Sequence, residues 1–85
     1  MPDVVIYTKQ FCPYCVSAKQ LLTKKGVSFT EHDISLGGPR RSEMLARSNG
    51  RTTVPQVFVG DTHVGGSDDL HLLDRQGRLD PLLAG

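Results

Sequence analysis

The sequence predicts an α/β domain whose four-stranded mixed sheet, in the order βαβαββα, carries helices on both faces. Three observations predict it. An apolar run too short for a helix, Val4 to Tyr7, leads almost directly into an amphipathic stretch that ends at Gly26. Two short β-rich runs flank the turn-forming pair Gly60-Asp61, which is a hairpin signal. Prolines and glycines stand where helices should begin and stop. A β-α-β unit takes a right-handed crossover and leaves its strands parallel, whereas a hairpin is antiparallel, so the sheet is mixed.

Residues 3–7, rich in Val and Ile, form the first predicted strand. The first helix is predicted from Pro13 to Lys25, with Cys15, Ala18 and Leu22 on one stripe, Leu21 beside it, and Gly26 as the left-handed stop. Residues 27–34 alternate apolar and polar side chains at their start and are predicted as a second strand. Gly37-Gly38-Pro39 makes a turn that hands over to a helix over 39–48, a surface element whose contact stripe is Met44 and Leu45. After the loop 49–53, residues 57–59 and 62–64 pair as the hairpin, and Gly65-Gly66 breaks the second of them. Ser67 is the predicted N-cap of a third helix, with Asp68 and Asp69 in the first turn suiting the helix dipole, Leu70 and Leu73 facing the core, and Gly77 as its end. Asp80-Pro81 caps a last helical turn over 81–84, and Leu79, Leu82 and Leu83 close over the core.

Eighty-five residues without an internal repeat or linker are expected to form one domain, 1–85, with a modest core. A net charge of +1 offers no electrostatic reason to expect nucleic acid or an acidic membrane as a partner. No basic n-region precedes the first apolar run, and no run approaches the length that spans a bilayer. A cytoplasmic, reducing compartment is expected, where a cysteine pair is more often catalytic than structural.

The two cysteines form Cys12-Pro13-Tyr14-Cys15, between the first strand and the first helix. A Cys-x-x-Cys at that junction is a thiol-disulfide redox signal. Proline suits the first helical position, which puts Cys12 at the N-cap. There its sulfur can accept backbone N–H groups of Tyr14 and Cys15, and the positive end of the helix dipole favours a thiolate over a thiol. Cys15, three residues on, shares the helical face and is within disulfide reach. Other readings are weaker. A zinc site needs two further ligands, and His32, His63 and His71 lack the spacing to supply them, so no metal is expected. A structural disulfide closing so small a ring removes little loop entropy. Two buried spectator cysteines would leave the proline between them and the helix start unexplained.

The element order and the Cys-Pro-Tyr-Cys site resemble the thioredoxin fold. Within it the chain resembles the dithiol glutaredoxins, most of all the small bacterial ones. Three motifs carry the likeness: Tyr7-Thr8-Lys9 leading into Cys12–Cys15, Thr53-Val54-Pro55-Gln56-Val57-Phe58, and Val64-Gly65-Gly66-Ser67-Asp68-Asp69-Leu70. The resemblance implies a glutathione-dependent thiol-disulfide oxidoreductase in which Cys12 is the nucleophile and Cys15 the resolving thiol, with glutathione as co-substrate. It implies a cis Pro55 that turns the Val54 backbone toward the site, where it can pair with the extended tripeptide. The γ-glutamyl end would sit at the N-terminus of the third helix, on Ser67, Asp68 and Asp69. Tyr14 and Thr53 would line the same site, and Lys9 would meet the glycine carboxylate.

The implied partners are glutathionylated or disulfide-containing proteins, with ribonucleotide reductase or a reductase of similar demand as the family-level acceptor, and a monomer is expected. Many relatives carry a cysteine where this chain has Ser67, which removes a side thiol without touching the main activity. Arg40 and Arg41 are read as surface charge, and the histidines are given no role. Two other functions are compatible with parts of this pattern. A glutaredoxin-shaped protein reduced by thioredoxin reductase would lack the glutathione grip of Lys9, Thr53 to Pro55 and Gly66 to Asp68. An iron-sulfur carrier would bridge a cluster between two chains through Cys12, which Pro13 and Tyr14 crowd and Cys15 opposes with a competing disulfide.

Overall fold

The computed structural model describes residues 2–85. Its elements run β1 (Val4–Thr8), α1 (Pro13–Lys24), β2 (Thr30–Asp33), α2 (Pro39–Arg47), β3 (Gln56–Val59), β4 (Thr62–Gly65), α3 (Ser67–Arg75) and α4 (Leu79–Ala84). The strands lie in the order β2-β1-β3-β4, with β1 parallel to β2 and antiparallel to β3, and β3 antiparallel to β4. This is the thioredoxin fold that the sequence predicted, a mixed four-stranded sheet flanked by helices.

Alternation along the strands divides the apolar residues between two cores. On one face, Val4, Ile6, Val57 and Val59 pack with Ala18, Leu21 and Leu22 of α1, Leu70 of α3, and Leu79 and Leu83 of α4. On the other, Tyr7 and Phe58 pack with Ile34 and with Met44 of α2. Truncating one of the fully buried Ile6, Leu22, Leu70, Leu79 or Met44 side chains to alanine costs about 2–5 kcal/mol.

Besides one-residue shifts at the ends of the other elements, Gly65 falling inside β4 among them, the structure corrects the predicted boundaries in three places. The second strand covers four residues and not the whole of 27–34, because its pairing with β1 runs only from Val5 opposite Thr30 to Thr8 opposite Asp33. Val27 and Phe29 instead lean on the first core from the preceding loop. The N-cap of α3 is Gly66, not Ser67. Ser67 is buried as the first helical residue, and the Asp69 carboxylate accepts the Gly66 N–H at 2.9 Å. The last helix begins at Leu79, two residues before Pro81. That places Pro81 in the first turn, where backbone N–H groups have no intrahelical partner and proline is tolerated. Among the described residues no helix is long and apolar enough to cross a membrane.

Candidate active site

The site stands where β1 hands over to α1. Phe11 closes β1's exit with a left-handed backbone, φ 56°, and its ring is 99% exposed. Cys12 is the N-cap, φ −112° and ψ 101°, followed by Pro13 at the first helical position. Its sulfur accepts the Cys15 N–H at 3.2 Å. Among the described residues Cys15 is the only backbone donor to that sulfur, where the sequence suggested Tyr14 as well; an N-cap side chain reaches the second or third helical N–H, and here it takes the third.

The two thiols sit in unlike surroundings. Cys12 is partly exposed, while Cys15 is 2% exposed on the buried stripe of α1. Burial, reinforced by the adjacent Cys12 sulfur, pushes the Cys15 thiol up to about 12, so at neutral pH it keeps its proton.

Across from Cys12 runs the loop before β3. The Val54–Pro55 peptide bond is cis, and the Val54 carbonyl lies 4.0 Å from the Cys12 sulfur. An open groove of about 350 Å³ follows from there, with Tyr14 on one side, Thr53, Val54 and Pro55 along its floor, and Ser67, Asp68 and Asp69 at the N-terminus of α3. Residues from three stretches more than ten positions apart thus meet in one place. Unpaired N–H groups at the start of a helix suit an anionic group, and an exposed strand-like backbone suits an extended peptide.

Lys9 does not line this groove. It lies on the other flank of Cys12, in a second depression with Phe11, Val16 and Lys19. Lys19 pairs with Glu31 at 3.0 Å, and the buried Thr8 hydroxyl donates to the same Glu31 carboxylate at 2.6 Å. Arg40 pairs with Glu43 at 3.0 Å on α2, and neither Arg40 nor Arg41 lines either depression. Among the described residues no three His, Cys, Asp or Glu side chains gather as a metal site would need.

Two residues of this region were given no role in the sequence reading, although Gln56 stands inside one of its motifs. Arg51 lines the groove with its guanidinium 3.6 Å from the Asp69 carboxylate. Its only sequence signal is a basic residue two positions before Thr53. Gln56 is fully buried and hydrogen-bonds Thr53; a polar residue opening the otherwise apolar run Val57-Phe58-Val59 was the available clue. His63 pairs with Gln56, His71 with Ser17 at 2.9 Å, and the His32 ring lies 5.4 Å from that of Tyr7, so each histidine has a packing role.

One accessible sulfur at a helix start, backed by a second that is buried and protonated, is suited to stepwise thiol-disulfide exchange. That chemistry on this sheet is the work of the thioredoxin-fold oxidoreductases. The profile of the Glutaredoxin family matches residues 4–64. Glutaredoxin 3 of Escherichia coli K12 is 58% identical over 83 residues, covering 98% of this chain and 99% of its own length. The solution structure of glutaredoxin from Brucella melitensis superposes with a TM-score of 0.83 at 54% identity, over 98% of this chain and 89% of that one. The crystal structure of a buckwheat glutaredoxin–glutathione complex superposes with a TM-score of 0.85 at 29% identity, over 98% and 77%. The chain belongs to the glutaredoxin family and is a glutathione-dependent thiol-disulfide oxidoreductase.

Proposed function

We propose that Cys12 is the nucleophile and that glutathione is held in the groove between the Thr53–Pro55 loop and the start of α3. The observation that carries this reading is the position of the Cys12 sulfur, at an N-cap and 4.0 Å from the Val54 carbonyl at the head of that groove. The buckwheat relative, a complex with glutathione, supports the ligand.

The Cys12 thiolate attacks the glutathione sulfur of a mixed disulfide. The old S–S bond breaks, the partner leaves as a thiolate that takes up a proton from water, and Cys12 is left bonded to glutathione. A second glutathione thiolate then attacks the bound glutathione sulfur, forming glutathione disulfide and returning Cys12 to the thiolate. For a protein disulfide, Cys12 first forms a mixed disulfide with the partner. Cys15 then attacks the Cys12 sulfur, the bond from Cys12 to the partner breaks, and the Cys15 proton ends on the departing sulfur, so the partner's second thiol is released and a Cys12–Cys15 disulfide is left behind. Val54 pairs its backbone with the tripeptide, Thr53 and Tyr14 bound its sides, and Pro55 shapes the loop. Ser67, Asp68 and Asp69 hold the γ-glutamyl end. Lys9, across Cys12, meets the glycine carboxylate.

The acceptors are glutathionylated and disulfide-containing proteins, with a ribonucleotide reductase as one expected example. The chain works as a monomer in the cytoplasm without a bound metal. Its potential falls in the glutaredoxin range of about −200 to −230 mV. A coupled assay with glutathione, glutathione reductase and a small mixed disulfide should show turnover, and thioredoxin reductase in place of the first reductase should not support it. Turnover with thioredoxin reductase alone would overturn the glutathione reading.

A further inference from the structure

Among the described residues Gln56 is the one buried side-chain amide. Its neighbours in β3 are Val57, Phe58 and Val59, all buried, and its own side chain is 0% exposed. A polar group so placed is costly unless every donor and acceptor is matched. Here each one is. The Gln56 Nε2 donates one proton to the Thr53 carbonyl at 2.9 Å and the other to the Thr53 hydroxyl oxygen at 3.2 Å. A carbonyl can only accept, which fixes which end of the amide faces Thr53. The Gln56 Oε1 then faces β4, where the His63 Nε2 donates to it at 2.7 Å. An amide oxygen cannot donate, so His63 must carry its proton on Nε2. Burial, with Arg51 nearby, lowers the His63 pKa and keeps the ring neutral. The ring is held in turn against Phe58, 4.7 Å between centroids and stacked.

The consequence falls on Thr53. Its hydroxyl oxygen already accepts from Gln56, so its own proton is free to point outward, and Thr53 lines the groove. We infer that Gln56, clamped by His63, is a positioning residue that presents the Thr53 hydroxyl as an outward hydrogen-bond donor toward an acceptor atom of glutathione. The relay runs from β4 through β3 to the loop beside Cys12, and it rests on the proposed seating of glutathione in that groove.

The test is a double-mutant cycle on Gln56 and Thr53, read as KM for glutathione and kcat in the coupled assay. Gln56→Met keeps the length of the side chain and removes both donors; Thr53→Val removes the hydroxyl. Each single variant should raise KM about fivefold, the factor that one neutral hydrogen bond contributes, with kcat changed less than about twofold. The double variant should be no worse than Thr53→Val alone, because the amide acts only through that hydroxyl. Gln56→Leu, which is likewise uncharged and has no donor for Thr53, should behave like Gln56→Met and covers the case in which the methionine variant fails to fold. A raised KM for Thr53→Val with wild-type KM in both folded Gln56 variants overturns the relay and leaves the glutathione site standing. Multiplying effects in the double variant overturn it too, because they make Gln56 a support for the fold alone. A wild-type KM for Thr53→Val removes Thr53 from the glutathione site and the relay with it.

Discussion

The two cysteines, three residues apart, are chemically different because one caps the open start of α1 and the other lies a turn further in, on the buried stripe of that helix. Cys12 has the helix start and partial exposure, and Cys15 has burial and a thiol pushed up to about 12. Iodoacetamide at pH 7 should therefore modify one thiol quickly, and mass mapping should place the label on Cys12. Comparable labelling of Cys15 would contradict the burial that separates them. On the proposed mechanism the same asymmetry leaves Cys12 to carry every exchange and Cys15 to serve protein disulfides alone. Cys15→Ser should retain reduction of small glutathione mixed disulfides and lose reduction of protein disulfides, and Cys12→Ser should lose both, as followed by glutathione reductase coupling. Equal loss of both activities in Cys15→Ser would contradict the assigned roles.

Among the elements, the strand-to-helix joint at Gly65-Gly66 does the most for the groove. Gly65 ends β4 with φ 112°, in the region that suits glycine, and a Cβ there would run into the Asp69 carboxylate. That carboxylate holds the Gly66 N–H and faces Arg51. Gly65→Ala should cost about 1–3 kcal/mol through backbone strain, seen as a lower urea midpoint. It should also raise KM for glutathione, because Asp69 must swing aside. An unchanged KM would detach Asp69 from the groove's function.

Elements of this kind were legible in the chain wherever a local signal exists. The Val4–Tyr7 run, Pro13 and Pro39 at helix starts, and Gly60-Asp61 between two strands each specify structure over a few residues. What stayed hidden depends on distant partners. The length of β2 is set by where β1 offers pairing groups, and the cap of α3 by which residue the Asp69 carboxylate reaches. Arg51 meets Asp69, and Gln56 meets His63, only once the hairpin and α3 have folded together. Cys12 and Cys15 could be picked out because their motif is contiguous.

For the molecule as a whole, the ionisable groups define a window of stability. Glu31 is held below its ordinary 4.5, first by the Thr8 hydroxyl and then by Lys19, and Glu43 likewise by the Tyr7 hydroxyl. Asp74 is lowered by Lys25, which bridges it at 2.6 Å and Asp80 at 2.9 Å and so ties α1 to α3 and α4. A carboxyl lowered on folding adds stability that is present above its ordinary value and lost as pH falls through the folded one. Cys15 works in the opposite sense. Raised from 9.0 to about 12, it adds stability that is present below 9 and lost as pH rises between those values, and the phenol of Tyr7, raised chiefly by burial, extends the same limb. His63, lowered from 6.5 chiefly by burial, starts the acid loss first, so the urea midpoint of the reduced protein should be flat only between about pH 7 and pH 8 and fall on both sides. Cys15→Ser should make the alkaline fall shallower; an identical alkaline limb would remove Cys15 as its source.

The polar run of β2 bears on crowding. Thr30–Asp33 forms one border of the sheet, and its outward backbone groups are an invitation for another polypeptide to add on. Glu31 and Asp33 sit on the same side of that border. Lys19 already meets Glu31, so it is the Asp33 carboxylates that two copies adding on through this border would bring together, and Asp33→Asn should make strand addition at β2 easier.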